Sequence, residues 1–376
     1  MKILIIAAAI PSEKDPLSGI FSYDQAMALK ASGDEVLYLV VDMRSIRSNR
    51  KIGFHEMEKN GMKCGCMHFP LGPVSISIRN KVGTFLLNRL YDKFRDYNPD
   101  VIHAHFNEMG SISLSLSQRL QVPLVITEHS STLSSGKIKK AHLNSIIRAY
   151  SNADKVIAVS KALSDHIKRH TGIKTSVIGN IVDTDSFRVT KRSDRDFFNI
   201  VNVGNLVPIK NHTLLLESYS IFHKNHPKTH LYIIGHGTLR EELQKKCIEL
   251  GINESVTFKG RLSRKETADV FHNSDVFAFT SISETFGVSC IEALAAGVPV
   301  VSTNCGGPND FIDKRNGVIV DSTVPHAFAE ALDNVYTNYN QYDRNEISRD
   351  INERYSSSSI AKKLNGLYSE ILNTVC

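Results

Sequence analysis

The chain has 376 residues, which is too long for one ordinary hydrophobic core, so its length predicts two domains. Hydrophobic residues make up 41% and charged residues 22%, as in a soluble globular protein, and no apolar run approaches the ~18 residues of a membrane span. The net charge of +6 belongs to the first half, because residues 1–190 hold 25 basic and 17 acidic side chains. No nucleic-acid-binding module is recognisable, so this charge fits either solvated surface or attraction to an anionic membrane or acceptor.

Short apolar runs alternate with longer amphipathic stretches from the first residue onward. This alternation is typical of repeated β-α units around a parallel sheet. Pro11 and several charges follow the first run closely, which favours a strand over a signal peptide. The predicted strands of the first half are residues 3–6, 36–41, 101–104, 124–127 and 156–159.

A polar, turn-rich stretch at residues 179–196 is interpreted as the interdomain linker. The alternation then resumes and predicts a second doubly wound domain, with a ligand expected between the carboxyl ends of both sheets. Residues 360–372 have apolar side chains at helical spacing, so the chain should end in an amphipathic helix. The predicted strands of the second half are residues 198–203, 231–234, 256–258, 276–279 and 300–302.

The cysteines and two neighbouring histidines give weak indications of metal binding. Six cysteines are scattered without a framework pattern, which fits a reduced cytosolic compartment. The pair Cys64 and Cys66 has no second ligand pair, and His103 with His105 has no third ligand. Buried thiols and structural histidines at a strand end are therefore the favoured interpretations.

The segment SISETFGVSCIEALAAGVPVVSTNCGGP, residues 281–308, is the most informative part of the chain. Ser283 is a candidate N-cap, so the sequence predicts a helix that begins at this point. Glu284 and Glu292 are eight residues apart, which would place both carboxylates on nearly the same helix face. A helix N-terminus suits a phosphate and carboxylates accept hydrogen bonds from hydroxyls, so the segment indicates a nucleotide-sugar ligand.

Glu-x7-Glu followed by Ala-Gly-x-Pro-Val-Val and Gly-Gly-Pro resembles the donor site of retaining family-four glycosyltransferases. That family has the α/β GT-B fold, in which two doubly wound Rossmann-like domains face a central cleft. The resemblance implies that residues 1–187 form the acceptor-side domain, that residues 358–376 pack back on it, and that residues 188–357 bind the donor. It also implies that Glu292 binds the ribose hydroxyls and that Glu284, as a catalytic residue, binds the hydroxyls of the sugar. The diphosphate would contact the amides of Thr285, Phe286, Gly287 and Val288.

A second motif strengthens the resemblance to this family. The stretch VGNLVPIKN, residues 203–211, resembles the family's Gly-Arg-Leu-x3-Lys-Gly loop. By that resemblance Gly204 and Asn205 line the donor site, and Lys210 is a catalytic cation that offsets charge on the leaving diphosphate. Asn205 stands where relatives usually carry arginine, so the charge of that side chain is missing here.

Weaker matches complete the expected site. Gly235 begins a Gly-His-Gly-Thr turn where relatives usually have Gly-Asp/Glu-Gly-Pro, and it is predicted to allow close backbone approach. Arg261 and Leu262 would contact the nucleobase through their backbone. Gly19 lies in a stretch similar to the family's glycine-rich loop, which faces donor phosphate and acceptor. His129 would lie near the donor sugar as a catalytic residue.

The resemblance implies transfer from a UDP- or GDP-linked sugar to a glycan or lipid-linked glycan of bacterial surface polysaccharide, without a cofactor, metal or protein nucleophile. We expect a cytoplasmic protein with peripheral contact to the inner membrane face. Three alternatives remain open. A metal-dependent transferase would use Asp183 and Asp185, although they match the family's connector motif. A nucleotide-sugar epimerase of GT-B fold would turn over the donor without an acceptor, and a non-catalytic protein would bind free sugar.

Overall fold

The computed structural model describes residues 1–44, 51–130, 133, 138–191 and 196–375. The chain divides into two compact units, the first comprising Met1–Ile181 with Ser357–Cys376 and the second Val182–Ser356. The boundary thus lies six residues before the predicted division at 187/188. The reason is that the residues after Ile181 contact the second unit. The buried Phe187 ring lies 5.9 Å from the Phe271 ring, and the Val182 amide donates to the Tyr355 carbonyl at 3.0 Å.

The first unit is built on a mostly parallel sheet of eight strands. Its strands are β1 Lys2–Ala7, β2 Glu35–Asp42, β3 Gly53–Lys59, β4 Met62–His68, β5 Val101–His105, β6 Leu124–Glu128, β7 Lys155–Ala158 and β8 Ser176–Val177. They lie in the order β3-β4-β2-β1-β5-β6-β7-β8, and β3 runs antiparallel to β4. The connecting helices are α1 Ile20–Ala31, α2 Ile76–Tyr91, α3 Asn107–Leu120, α4 Lys140–Ser151 and α5 Lys161–Thr171.

The second unit has a six-stranded parallel sheet. Its strands are β9 Phe198–Val203, β10 Thr229–Ile234, β11 Val256–Gly260, β12 Val276–Phe279, β13 Val300–Thr303 and β14 Gly317–Val320. The order β11-β10-β9-β12-β13-β14 is that of a doubly wound Rossmann-like domain. Its helices are α6 His212–Asn225, α7 Arg240–Glu249, α8 Arg264–His272, α9 Val288–Ala295, α10 Pro325–Thr337 and α11 Arg344–Tyr355.

The predicted α/β architecture is confirmed, and each predicted strand coincides with an observed one to within two residues at either end. These strands are recognisable because parallel strands buried on both faces need continuous apolar runs. Four further strands, β3, β4, β8 and β14, were not predicted. Cys64 and Cys66 are buried in β4, where burial raises the pKa of each thiol, to about 11 and about 12.

The last helix, α12 Ser357–Val375, belongs to the first unit and packs against α1. The Asn365 amide donates to the Asp34 carboxylate at 2.7 Å. The buried Tyr368 hydroxyl lies 2.6 Å from His103 Nδ1, and the other nitrogen of that imidazole lies 2.7 Å from Thr127 Oγ1. Burial lowers the pKa of His103 to about 3, so the ring is neutral and Nδ1 can accept the phenol proton. Among the described residues, no helix is both long and apolar enough to cross a bilayer.

Tyr368→Phe should destabilise the first unit by ~1–3 kcal/mol, because it leaves a buried imidazole nitrogen without its hydrogen bond. For a unit of this size, each kcal/mol lost lowers the midpoint of thermal unfolding by about 2–4 °C. Thermal unfolding of the full chain measures it. Tyr232→Phe, at a half-buried position in β10, is the control and should unfold like the wild type. Equal midpoints for both variants would contradict the expected role of α12.

Candidate functional site

The second unit holds an ion pair in the loops at the carboxyl end of its sheet. Lys210 closes a short 3-10 turn after β9, and its Nζ pairs with the Glu284 carboxylate in the loop after β12. The ammonium lies 5.4 Å from the Phe279 ring centroid, and the Lys210 carbonyl accepts a hydrogen bond from Thr280 Oγ1 at 3.1 Å. The two charged side chains are only 23% and 14% exposed, so water screens their attraction less than at an open surface. Residues from two distant motifs therefore come together.

The predicted helix start at Ser283 and Glu284 is wrong, because α9 begins at Val288. The Glu284 amide donates to the Cys305 carbonyl at 2.7 Å, and its carbonyl accepts from the Gly307 amide at 3.0 Å. These bonds hold Glu284 in an extended bridge to the loop after β13. Glu284 and Glu292 consequently do not share a helix face: the first lies in a loop and the second in α9.

The N-terminus of α9 is set by the turn that precedes it. Gly287 has a φ of 88°, and a Cβ there would lie 2.6 Å from Pro308 Cγ, so the position requires glycine. The Phe286 side chain is buried, and its ring centroid lies 5.4 Å from that of Phe311. A ligand could therefore contact the backbone amide of Phe286 but not its side chain. Thr285 and Val288 are half-buried. The Cys290 amide already donates to the Gly287 carbonyl at 3.0 Å. The amides before it lie at a helix start, where they lack partners one turn back and carry a partial positive charge.

Glu292 lies close to a cation that the sequence reading did not identify. Its carboxylate is 4.0 Å from Nε of Arg264, the first residue of α8, and Asp183 is 3.9 Å from the same guanidinium. Asp183 also accepts a hydrogen bond from the Ser186 amide at 3.1 Å, as in a turn. Within the described part of the chain, no three His, Cys, Asp or Glu side chains are grouped as a metal site requires.

Gly235 allows two loops to touch. It has a φ of 149°, and a Cβ there would lie 1.8 Å from the Gly204 carbonyl oxygen. The Gly204 amide donates a hydrogen bond to the Ile234 carbonyl at 2.9 Å. A Cβ added to Gly204 would lie only at ordinary van der Waals distance from other atoms. Asn205 is exposed. The close approach predicted for Gly235 is thus one between two loops of the protein.

Arg261 and Leu262 follow β11 directly, the first exposed and the second half-buried. The Gly235 amide donates to the Gly260 carbonyl at 2.8 Å, so the loops after β10 and β11 are neighbours. The structure therefore gathers the predicted donor-binding residues of this unit into adjoining loops at one edge of the sheet.

In the first unit, His129 follows β6 and is almost fully buried. Its ring stacks on Phe21 with centroids 5.8 Å apart and lies 5.0 Å from the Phe106 ring. Its Nε2 is 3.0 Å from Nδ1 of His105. Burial lowers the pKa of His129 to about 4, although the neighbouring Glu128 carboxylate acts in the opposite direction. At neutral pH this imidazole is therefore a hydrogen-bonding group and not a cation.

Glu128 was not predicted, yet it fixes the loop that carries His129. Its side chain is fully buried and accepts hydrogen bonds from the His129 amide at 2.9 Å and the Ser130 amide at 2.8 Å. The Asn107 side-chain amide donates at 2.8 Å and the Tyr150 hydroxyl at 2.5 Å. A buried carboxylate needs such partners. Its position at the end of a strand was the only signal in the sequence, since the side-chain donors Asn107 and Tyr150 lie about twenty residues away in either direction.

Gly19 caps α1 with a φ of 72°. A Cβ at this position would lie 2.3 Å from the Ala9 carbonyl oxygen, so only glycine allows this loop to contact the segment that follows β1. The predicted glycine-rich loop is thus anchored to the first strand connection of this unit.

Two family models match adjoining parts of the chain. Residues 19–186 match Glycosyltransferase Family 4, and residues 183–352 match glycosyl transferases group 1. A D-inositol 3-phosphate glycosyltransferase of Paenarthrobacter aurescens is 31% identical over 63% of this chain and 64% of its own length, a little under two thirds. The putative teichuronic acid biosynthesis glycosyltransferase TuaC of Bacillus subtilis is 26% identical across the full length of both proteins.

Solved structures with the same fold cover nearly the whole chain. Sucrose-phosphate synthase from Thermosynechococcus elongatus superposes with a TM-score of 0.78 at 18% identity, over 99% of both chains. HepE of Anabaena, solved in complex with UDP, superposes with a TM-score of 0.77 at 18% identity, over 98% of this chain and all of that one. The fold is therefore GT-B. With both family models matched, the chain belongs to the family-four glycosyltransferases and is an enzyme of the EC 2.4 class.

Proposed function

We propose that the enzyme transfers a sugar from a UDP- or GDP-linked donor to a glycan or lipid-linked glycan, with retention at the anomeric carbon. The observation that carries the proposal is the Lys210–Glu284 pair in loops adjoining the N-terminus of α9. A cation and free amides suit a diphosphate, whereas a carboxylate suits sugar hydroxyls. The relative TuaC is named for teichuronic acid biosynthesis, which supports a role in bacterial surface polysaccharide.

Each charged residue has a separate task in this proposal. Lys210 and the first-turn amides of α9 hold the diphosphate and stabilise the charge that grows on it as the glycosidic bond breaks. A phosphate oxygen at Lys210 competes with Glu284 for the ammonium, which leaves the Glu284 carboxylate for the hydroxyls of the transferred sugar. Glu292 accepts hydrogen bonds from the ribose, and Nε of Arg264 lies 4.0 Å from its carboxylate.

Retention follows if the acceptor hydroxyl attacks the face from which the diphosphate departs. The leaving phosphate then takes the proton of the acceptor, and no covalent bond to the protein forms. The protein acts by positioning and by charge stabilisation. A neutral His129 hydrogen-bonds the donor sugar in this scheme, and the buried Glu128 network keeps its loop in one conformation.

Glu292→Ala should weaken binding of the nucleoside diphosphate, because a hydrogen bond to a charged group contributes roughly 1.5–3 kcal/mol. Glu284→Ala should instead lower turnover more than nucleotide affinity. Calorimetry with UDP and GDP measures the first effect, and steady-state rates measure the second. Glu330→Ala, at an exposed position on α10, is the matched control. Unchanged nucleotide affinity in a folded Glu292→Ala protein would remove the basis for this assignment.

Transfer should survive removal of divalent metal, because Lys210 and a helix N-terminus neutralise the diphosphate. Dialysed enzyme assayed with and without a chelator tests this expectation. Loss of activity with the chelator, followed by rescue with Mn²⁺, would instead favour the Asp183 and Asp185 alternative.

We also propose a cytoplasmic enzyme that rests on the inner face of the membrane through α2. Ile78 and Phe85 on this helix are 50% and 62% exposed, and Lys81 and Arg89 share their face. The first unit carries 26 basic and 16 acidic residues, a net charge of +10. An apolar stripe among basic side chains suits an anionic lipid surface.

Changing Ile78 and Phe85 together to serine should abolish most sedimentation with anionic vesicles, because each buried apolar side chain contributes about 1.5–3 kcal/mol. Wild-type binding should also fall with salt and be weak on neutral vesicles. Ile248→Ser, at an exposed apolar position on α7 of the other unit, is the control. Equal recovery of all three proteins with both vesicle types would leave a soluble acceptor as the better hypothesis.

A further inference from the structure

A cavity of about 260 Å³ lies at the carboxyl edge of the first sheet. Its walls include Ala8 after β1, Ser18 and Phe21 around the start of α1, Arg44 after β2 and Phe106 after β5. In the sheet β1 lies between β2 and β5, so the strand order runs outward from β1 in both directions. Doubly wound folds bind their ligands at such a switch point.

The cavity shares two of its walls with the surroundings of His129. Phe21 and Phe106 both line the cavity, and both rings also pack against the His129 imidazole. A ligand in the cavity therefore touches the same two rings as the histidine proposed to meet the donor sugar. This arrangement points to the second substrate, the acceptor.

Phe106 is held in a strained conformation that favours a functional role for this wall. Its φ is 72° and its ψ 149°, a region that a bulky side chain rarely adopts. Such a residue costs of order 1–3 kcal/mol and persists where the surroundings impose it. Here the Phe106 amide donates to the Thr127 carbonyl at 2.8 Å. The strained backbone directs the ring between the cavity and His129.

Arg44 gives the cavity a fixed cationic group. Its Nε and one terminal nitrogen donate to the two oxygens of the nearly buried Asp42, at 2.9 and 3.0 Å. The other terminal nitrogen donates to Ser18 Oγ at 2.8 Å. A guanidinium has five N–H groups, so these three bonds leave two without a partner among the residues that the structure describes. The Asp42 carboxylate orients the group rigidly, as recognition of an anion requires.

We propose that this cavity receives the acceptor and that Arg44 makes the enzyme select a saccharide bearing a negatively charged group. The inference rests on the proposed glycosyl transfer. The alanine and phenylalanine walls suit the C–H faces of a sugar ring, and the remaining guanidinium N–H groups suit the oxygens of a carboxylate or phosphate. The first turn of α1 adds partial positive charge on the same side. Uronic acids and sugar phosphates share this chemistry.

Ligand-observed NMR titration of the full chain tests the proposal with D-glucuronate, glucose 6-phosphate and glucose. Saturating UDP or GDP is present, so that the phosphate-binding loops of the second unit are occupied. The wild type should bind at least one charged sugar about tenfold or more tighter than glucose, as a charge-assisted hydrogen bond requires. The charged sugar that binds identifies the group as carboxylate or phosphate. Equal or undetectable binding of charged and neutral sugars overturns the proposal.

Arg44→Gln should lose the preference for the charged sugar. Arg44→Lys should retain part of it, because lysine keeps the positive charge but lacks the planar guanidinium that binds two oxygens at once. Arg119→Gln, which removes a surface arginine of the same unit, is the matched control and should keep the preference. If Arg44→Gln fails to fold because Asp42 loses its ion pair with Arg44, the double variant Asp42→Asn with Arg44→Gln removes both charges. Wild-type preference in any folded variant lacking the Arg44 cation overturns the proposal.

Titration of the same proteins with UDP and GDP separates this inference from the proposed function. Nucleotide affinity should be unchanged in every Arg44 variant, since Lys210, Glu292 and the first-turn amides of α9, to which nucleotide binding is assigned above, all lie in the second unit. A wild type that binds nucleotide but shows no charge preference refutes only the acceptor inference. A wild type that binds neither UDP nor GDP refutes the proposed function itself.

Discussion

A single buried carboxylate organises the loop that carries His129 in the first unit. Glu128 is fully removed from water and accepts hydrogen bonds from the start of α3, from α4 and from the two amides that follow it. A charge in such a place is tolerated only when its acceptor sites are filled, so each donor is held where Glu128 needs it. The position of the His129 ring, and with it the wall formed by Phe106, depends on this network.

The architecture was predictable where a single physical rule dominated. Parallel strands buried on both faces must be apolar throughout, and these runs stand out in the sequence. The edge strand β3 and its neighbour β4 were missed because GFHEMEK and MKCGCMH mix charged, polar and apolar residues without a continuous run. The start of α9 was misplaced for a different reason. Ser283 has the chemistry of an N-cap, but pairing between Glu284 and the loop after β13 prevails over that local preference.

The site was predictable only as far as motifs reach. Lys210 and Glu284 were assigned from separate motifs, and the structure brings them into contact. Arg44, Arg264 and Glu128 were not assigned, because their importance comes from partners that only the fold brings near. A buried charge has no local sequence pattern of its own. The sequence could therefore suggest residues that lie in motifs, but not the residues that support or neighbour them in the fold.

The stacked histidines of the first unit give it a built-in sensitivity to acid. Burial lowers the pKa of His103 to about 3, that of His129 to about 4, and that of His105 well below its ordinary value. In the unfolded chain each imidazole takes up a proton near pH 6.5, so below that pH the unfolded state binds more protons than the native one. The free energy of unfolding therefore falls as pH drops from about 6.5 towards 4. In the second unit burial lowers the pKa of His212 to about 4 and also lowers the pKa values of His223, His230 and His272. Mild acid should thus destabilise both units, and in the first unit the loss falls on the cluster that includes His129.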